Sequence, residues 1–211
     1  MEDKQSKLIN SLLIQPLIVV IRLDIDFFNT TFNRDNLLLK IKNLSDYGVR
    51  NIEIGWDSNP EWITLISQIK NDFNCINVGA ASVTSIQALD SILSLDLNYS
   101  MSPFFNREVH LKAIKHNQLL IPGVSSIGKF KEAINLGYKI IKIYPASNLG
   151  IEFLNKLKSF EKNDIFFIGA GGIKSSDLKN LLNNGYNALA IGKELNDPIA
   201  YDYLKIWLKT Y

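Results

Sequence analysis

Short apolar runs rich in β-branched residues recur eight times along this chain of 211 residues, and segments with the apolar spacing of helices separate them. Each run has the length and composition of a strand buried on both faces. Strands of this kind, alternating with helices, are typical of a parallel sheet covered by helices. The predicted strands cover residues 17–22, 51–55, 75–79, 98–101, 119–121, 140–144, 165–168 and 188–192.

Eight strand and helix repeats predict a (β/α)8 TIM barrel, here with an extra N-terminal helix at residues 3–14. The alternative is an open, doubly wound sheet. The first strand of such a sheet is often followed by a glycine-rich dinucleotide fingerprint, whereas residues 23–26 of this chain read Leu-Asp-Ile-Asp. Because no Pro-rich or Gly-rich linker divides the chain, we predict one domain over residues 1–211.

The composition argues against several partners and compartments. A net charge of +2, with Lys and Arg scattered along the chain, predicts neither a nucleic-acid nor a membrane partner. Cys75 is the only cysteine, which is usual for a cytoplasmic protein, and one Cys with two His residues does not supply a zinc site. His110 and His116 lie six residues apart in a predicted surface helix, so we expect both to be solvated.

Lys142 is the most unusual residue of the predicted strands, because it lies in the centre of the run Ile140-Ile141-Lys142-Ile143-Tyr144. A buried ammonium group is costly unless it is paired or neutral. Strand alternation places Lys142 and Tyr144 on one face and the isoleucines at 141 and 143 on the other. If Lys142 faces the barrel lumen, those two isoleucines pack against the helices.

The carboxyl ends of barrel strands carry the chemistry of this fold, so residues there are candidates for function. Glu53, on the second strand, reaches the same end as Lys142. One interpretation is a buried ion pair with a structural role, although such pairs stabilise poorly. The other is an amine, made partly neutral by burial, that attacks a ketone while the carboxylate relays protons. The remaining candidates at this end are Arg22, residues 79–82, Ser102, Pro103, residues 122–125, Tyr144, residues 169–172 and Gly192.

Six short motifs occur in an order and spacing that resemble the KDPG/KHG aldolases, which act on 2-keto-3-deoxy-6-phosphogluconate and 4-hydroxy-2-oxoglutarate. The resemblance extends from about Pro16 to Gly192. The motifs are Val49-Arg50-Asn51-Ile52-Glu53-Ile54, Val78-Gly79-Ala80-Ala81-Ser82-Val83, Met101-Ser102-Pro103, Ile121-Pro122-Gly123-Val124, Ile141-Lys142-Ile143-Tyr144-Pro145-Ala146 and Gly171-Gly172-Ile173.

The resemblance implies a class I, metal-independent aldolase, a carbon–carbon lyase without a cofactor, that forms a homotrimer and acts on pyruvate-derived 2-keto acids. Lys142 matches the family's Schiff-base lysine and Glu53 its general acid/base. The substrate-binding positions of the family fall on Arg22 for the carboxylate, on Ser82, Pro103 and Tyr144 around the pyruvate, and on Gly171, Gly172, Gly192 and Lys193 in the last two strand loops.

Two departures from the family pattern fall at substrate recognition. Gly55, Trp56 and Asp57 follow Glu53 where the family often has a small hydroxyl residue and then an arginine or threonine. Phosphate-specific members have Gly-Ser in the eighth-strand loop, but this chain has Lys193 and Glu194. The lysine would attract a phosphate and the glutamate would repel one, and the sequence leaves open which side chain points inward.

Three further functions stay open at this stage. The same iminium would support decarboxylation of oxaloacetate. A barrel isomerase or epimerase would use acid/base residues without a covalent step. A catalytically idle relative would bind a keto acid only. An adduct between Lys142 and pyruvate separates the iminium reactions from the non-covalent isomerase or epimerase, and a lack of turnover with every keto acid favours the idle relative.

Overall fold

The computed structural model describes residues 1–160 and 164–210, and in them nine parallel strands form one nearly closed sheet. The strand order is β5-β4-β3-β2-β1-β9-β8-β7-β6. The TIM-barrel prediction is confirmed. The strands are β1 Leu17–Ile21, β2 Asn51–Gly55, β3 Asn77–Ala81, β4 Ser100–Met101, β5 Leu120–Ile121, β6 Gly123–Val124, β7 Ile140–Ile143, β8 Phe166–Ala170 and β9 Ala188–Ile191.

The fifth predicted strand is divided into β5 and β6 by Pro122. Leu120 of β5 pairs with Ser100 of β4, whereas Gly123 of β6 pairs with Lys142 of β7. Proline has no backbone N–H to donate to a ladder, but the carbonyl of Pro122 accepts the N–H of Lys142 at 3.0 Å. The interrupted strand therefore joins the two edges of the sheet and closes the barrel.

Nine α-helices accompany the strands in the described residues, and most of them lie between successive strands. Side chains of Thr30, Ser85, Asn106, Ser126 and Asp197 accept hydrogen bonds from the first turn of the helix that follows each of them. None of the described helices is both long and apolar enough to cross a membrane. The helices are α1 Glu2–Ile14, α2 Thr31–Asp46, α3 Glu61–Asp72, α4 Ile86–Leu93, α5 Arg107–Lys115, α6 Ile127–Asn135, α7 Ala146–Phe160, α8 Leu178–Asn183 and α9 Pro198–Leu208.

The extra N-terminal helix α1 covers the amino end of the barrel. Leu8 and Leu12 are buried in the core. The side chain of Gln5 accepts the N–H of Lys139 at 2.7 Å and donates to the carbonyl of Gly137 at 3.2 Å, just before β7 begins. These contacts hold α1 across the strand beginnings, so substrate has access to the barrel from the carboxyl ends of the strands.

Candidate active site

A cavity of about 1160 Å³ lies at the carboxyl ends of the strands. All ten residues that the family resemblance assigns to the site line this cavity, so the fold brings that set together. They are Arg22, Glu53, Ser82, Pro103, Lys142, Tyr144, Gly171, Gly172, Gly192 and Lys193.

Lys142 lies on β7 inside the barrel, and 6% of its surface is exposed. Its Nζ atom lies 5.2 Å from the ring centroid of Tyr144, which follows two residues later on the same face. Burial lowers the pKa of Lys142 because the charged form loses its hydration, and the positive charge of Arg22 acts in the same direction. The negative charge of Glu53 opposes this shift. A neutral amine is therefore more accessible here than on a surface lysine.

Glu53 lies on β2, and only 2% of its surface is exposed. Burial raises the pKa of its carboxyl group, and Lys142 opposes that shift. The buried Oε1 atom of Glu53 has no hydrogen-bond partner among the described residues. A structural ion pair would place an ammonium hydrogen of Lys142 on that oxygen. The free acceptor instead favours a carboxyl group that exchanges protons with a substrate or a water molecule.

The barrel core beneath these two groups contains an aromatic ring that sequence reasoning did not select. Tyr99 is fully buried, and its ring fills the space where Gly79 lacks a side chain, since a Cβ atom at Gly79 would meet the ring at 2.5 Å. Its hydroxyl donates to the carbonyl of Ile52 at 3.3 Å. Burial raises the pKa of Tyr99, and the negative charge of Glu53 adds to that shift. The pair Gly79 and Tyr99 thus excludes water from one side of Glu53.

Three predicted contacts with the keto acid lie nearer the mouth of the cavity. Arg22 follows β1 directly and is exposed, which leaves its guanidinium free to meet a carboxylate. Ser82 has a φ of +63°, a left-handed conformation that non-glycine residues adopt only at a cost in energy. Such strain is often retained where a side chain serves a binding site. Pro103 is half-buried and follows β4, the strand that pairs with β3.

His110 supports the wall that contains Pro103, and the expectation that it is solvated is wrong. Its side chain is fully buried, because α5 turns this residue toward the barrel. Nδ1 lies 2.7 Å from the carbonyl of Asn106, and Nε2 lies 3.4 Å from Oγ of Ser102, the residue before Pro103. Burial lowers the pKa of His110 to about 4. His116 is exposed, as expected.

The loop after β8 approaches the cavity with backbone atoms. Gly171 and Gly172 both have positive φ, at +88° and +72°. A Cβ atom at Gly171 would lie 2.8 Å from the ring of Tyr144, and one at Gly172 would collide with the side chain of Ser147. Only glycine fits both the conformation and the space at these positions. Both glycines line the cavity, where they present no side chain.

Lys193 and Glu194, in the loop after β9, both line the cavity. Lys193 is exposed, whereas Glu194 is half-buried. Oε1 of Glu194 accepts a hydrogen bond from the N–H of Ser175, at the start of the helical turn at residues 175–177. The cavity lining also includes Lys174, Asn196 and Asp197. The sequence analysis did not select these three residues. Lys174 could have been found from its position directly after the motif Gly171-Gly172-Ile173.

Within residues 1–160 and 164–210, no group of three or more His, Cys, Asp and Glu side chains is arranged to hold a metal ion. The chemical groups at the centre of the cavity are an amine, a carboxyl group and an aromatic ring. Together they can form a covalent bond to a carbonyl carbon and move protons beside it.

The comparison that decides the family covers nearly the whole barrel. The sequence profile of the KDPG and KHG aldolases matches residues 11–205. The chain belongs to the KDPG and KHG aldolase family. This match confirms the resemblance seen in the six motifs, and the matched range contains both Lys142 and Glu53. Members of this family are carbon–carbon lyases.

Two curated relatives are similar to this family member at low identity. The 2-dehydro-3-deoxy-6-phosphogalactonate aldolase of Escherichia coli (strain K12) is 24% identical over 162 residues, which cover 76% of this chain and 78% of the relative. The 2-dehydro-3-deoxy-phosphogluconate aldolase of Treponema pallidum (strain Nichols) is 24% identical over 113 residues, or 54% of each chain. The chain is therefore a divergent member of its family.

Solved structures of aldolases have the same fold. A native KDPGal structure superimposes with a TM-score of 0.77 at 21% identity, and the match covers 92% of this chain and 94% of that one. The KDPG aldolase of Legionella pneumophila superimposes with a TM-score of 0.75 at 22% identity, and the match covers 90% of each chain. That structure holds pyruvate as a covalent carbinolamine intermediate.

Proposed function

We propose that this chain is a class I aldolase that cleaves a 2-keto-3-deoxy-6-phosphogluconate-type or 4-hydroxy-2-oxoglutarate-type keto acid to pyruvate and an aldehyde. The observation that carries the proposal is the buried pair of Lys142 and Glu53, whose pKa values burial moves in opposite directions. An amine with a lowered pKa is a nucleophile near neutral pH, and a carboxyl group with a raised pKa can donate as well as accept protons.

The reaction begins when the neutral amine of Lys142 attacks the keto carbon of the substrate. Glu53 gives a proton to the keto oxygen, which forms a carbinolamine, and the carbinolamine then loses water to give a protonated Schiff base. Arg22 holds the substrate carboxylate during these steps. The covalent carbinolamine in the Legionella pneumophila relative supports this part of the proposal.

Carbon–carbon cleavage follows from the positive charge on the Schiff base. A base, Glu53 directly or through water, removes the proton of the C4 hydroxyl. The C3–C4 bond then breaks, the aldehyde leaves, and the electron pair moves into the iminium to give an enamine. Glu53 returns a proton to C3, and water hydrolyses the resulting pyruvate Schiff base to restore Lys142. Hydrolysis releases one proton, which the Glu53 carboxylate accepts, so Lys142 ends each turnover neutral and Glu53 ends it protonated, as both began.

Borohydride trapping tests the covalent step. Pyruvate and borohydride added to the native chain should give a reduced adduct on the tryptic peptide that contains Lys142, detected by mass spectrometry. The Lys142→Arg variant keeps the positive charge and should give no adduct. A native chain that forms no adduct at Lys142 would overturn the proposal and leave the non-covalent isomerase or the idle relative.

Turnover distinguishes the remaining functions. A panel of keto acids, with pyruvate release as the readout, should show aldol cleavage that Lys142→Arg abolishes. Oxaloacetate belongs in the panel because its decarboxylation would proceed from the same iminium. An adduct without turnover of any substrate would identify a chain that binds keto acids without cleaving them.

The roles of the other residues and the assembly also form part of the proposal. Ser82, Pro103 and Tyr144 would surround the pyruvate part of the substrate, and the loops after β8 and β9 would contact its far end. We further propose a homotrimer in the cytoplasm, as expected from the family resemblance and from the single cysteine. An exposed apolar stripe on α9, formed by Ile199, Tyr203 and Ile206, supports self-association.

A further inference from the structure

The cavity divides by burial into an inner part and a rim. Lys142 and Glu53 are both less than one-tenth exposed, whereas Lys174 and Lys193 are exposed. A substrate whose keto carbon reaches Lys142 must leave the far end of its carbon chain at the rim. The loops after β8 and β9 supply a large part of that rim, which therefore selects the far end of the substrate.

Glu194 is fixed in this rim by the backbone of the β8 loop. Its Oε1 atom accepts the N–H of Ser175, and the side chain is half-buried. A hydrogen bond to an ionised acceptor is stronger than one between neutral groups, so it holds the carboxylate in place. The N–H of Ser175 is thus occupied by the chain's own carboxylate.

The charges of the cavity-lining residues in the loops after β8 and β9 cancel. Lys174 and Lys193 carry positive charge, and Glu194 and Asp197 carry negative charge. Asp197 also accepts the N–H of Ile199 at 2.9 Å as the N-cap of α9, which holds its carboxylate near the cavity. Two positive and two negative groups do not concentrate a phosphate dianion, and the fixed carboxylate of Glu194 repels one.

We propose that Glu194 is a specificity-determining residue that selects a keto acid with an uncharged, hydroxyl-bearing far end over a phosphorylated one. The inference rests on the proposed aldolase function. Oε1 of Glu194 is bonded to Ser175, and the same carboxylate has a second oxygen that can accept a sugar hydroxyl. The two curated relatives described above are named for phosphorylated substrates. If Glu194 acts as proposed, this chain has the opposite preference, for the unphosphorylated keto acid.

Two substrates that differ only at the far end test the inference. The ratio of kcat/KM for 2-keto-3-deoxygluconate to that for its 6-phosphate should exceed one in the native chain, because these loops carry no net positive charge and Glu194 can accept the hydroxyl that the phosphate ester lacks. The charge of Glu194 should contribute a factor of about ten to this ratio, since a carboxylate and a phosphate dianion about 5 Å apart repel each other by that factor even in a water-like dielectric. The effect should lie mainly in KM, because the far end does not take part in bond breaking. A native chain that prefers the phosphate would overturn the inference.

Three variants assign the preference to Glu194. Glu194→Gln keeps the shape and can still accept the N–H of Ser175, and it should lower the ratio by about tenfold. Glu194→Ser also releases that N–H and should lower the ratio at least as far. The matched control is Asp197→Asn, which removes one negative charge from the same rim while keeping a good N-cap for α9. An equal shift in Asp197→Asn would mean that net charge rather than Glu194 sets specificity.

Binding separates this inference from the proposed function. The Lys142→Ala variant cannot form the Schiff base, so calorimetry on it measures the affinity for both compounds without turnover. Tighter binding of the unphosphorylated compound, lost when Glu194→Gln is added, supports the inference even if the native chain cleaves neither compound. Equal affinities, or tighter binding of the phosphate, would overturn it even if borohydride traps pyruvate on the native chain.

Discussion

Lys142 shows how one buried side chain can be tuned by its surroundings. Burial in the barrel interior, beside the ring of Tyr144, removes water from the amine, while Glu53 supplies the nearby negative charge. Burial alone would favour the neutral amine, and the carboxylate alone would favour the ammonium. Because the two groups titrate together, protons leave the pair in steps that belong to both residues.

The activity of the native chain should depend on this shared titration. As the pH rises through the lowered pKa of Lys142, about 8 rather than the ordinary 10.5, the neutral amine becomes available and kcat/KM should rise. Glu53→Gln removes the charge that raises the pKa of Lys142, so the acid limb should move to lower pH. The rate at the optimum should fall by about 10²-fold to 10⁴-fold, the usual contribution of a general acid/base.

The measurement is a pH profile of pyruvate release for both forms. Glu61→Gln, which alters an exposed carboxylate on α3, is the control and should keep the native profile. An acid limb that stays in place in Glu53→Gln would show that the two residues are not electrostatically linked.

His110 should make the stability of the fold depend on pH. Its pKa is about 6.5 in the unfolded chain and about 4 in the buried site, so the unfolded state takes up a proton first as the pH falls. The stabilising contribution is therefore present above pH 6.5 and is lost as the pH falls toward 4, by up to about 3 kcal/mol. His110→Gln removes this titration and should flatten the dependence.

The readout is the midpoint of urea unfolding at several pH values. His116→Gln, at an exposed position, is the matched control and should behave like the native chain. Identical pH dependence in both variants would contradict a buried, neutral His110.

The sequence predicts the surroundings of a side chain only where its neighbours along the chain reveal them. Lys142 was identifiable because its neighbours are isoleucines, which leave few places for it except a barrel strand. His110 was not, since α5 also carries Arg107, Glu108 and Lys112 and reads as a surface helix. Its burial depends on the ring of Phe105, which stacks against it at 4.8 Å, and on Tyr138. Tertiary contacts of this kind have no local sequence pattern.

At the scale of elements, Gly123 controls how closely β6 approaches the loop after β4. A Cβ atom at Gly123 would collide with the backbone carbonyl of Pro103, and backbone atoms cannot rotate away. Gly123→Ala should therefore separate the two segments and destabilise the fold by about 1–3 kcal/mol. Activity should fall as well, because Pro103 lines the cavity.

Thermal unfolding and pyruvate release check this prediction together. Gly128→Ala in α6 is the matched control, because no atom lies within 4 Å of a Cβ atom there. Its effect should range from neutral to about 1 kcal/mol of stabilisation, as expected for alanine in a helix. Equal effects of the two substitutions would contradict the close approach at Gly123.

The elements themselves were largely predictable, and the exceptions have local causes. Hydrophobic runs located the strands, but the role of Pro122 as a divider between β5 and β6 depends on which neighbour each half pairs with. Helix α2 begins at Thr31, although its buried apolar positions start only at Leu37, because Thr30 caps a polar first turn. The covering position of α1 follows from long-range hydrogen bonds such as that of Gln5, which sequence spacing cannot show.

At the scale of the whole molecule, the stripe on α9 predicts self-association. Ile199, Tyr203 and Ile206 recur at helical spacing and are 51–67% exposed. Light scattering after size exclusion should give three times the chain mass of 23.9 kDa. Ile206→Glu should reduce that mass, whereas Leu111→Glu on α5 should not. A native chain that runs as a monomer would contradict the proposed trimer.

The helix that covers the amino end of the barrel also bears on the order of events in a turnover. Gln5 and the buried leucines of α1 hold that end together, so substrate and products share the opening at the other end. In the proposed reaction the pyruvate part is bonded to Lys142 in the interior, and the aldehyde lies between it and solvent. The aldehyde must leave first and pyruvate last. Kinetically this is an ordered uni-bi mechanism, in which pyruvate competes with the keto acid for the free enzyme.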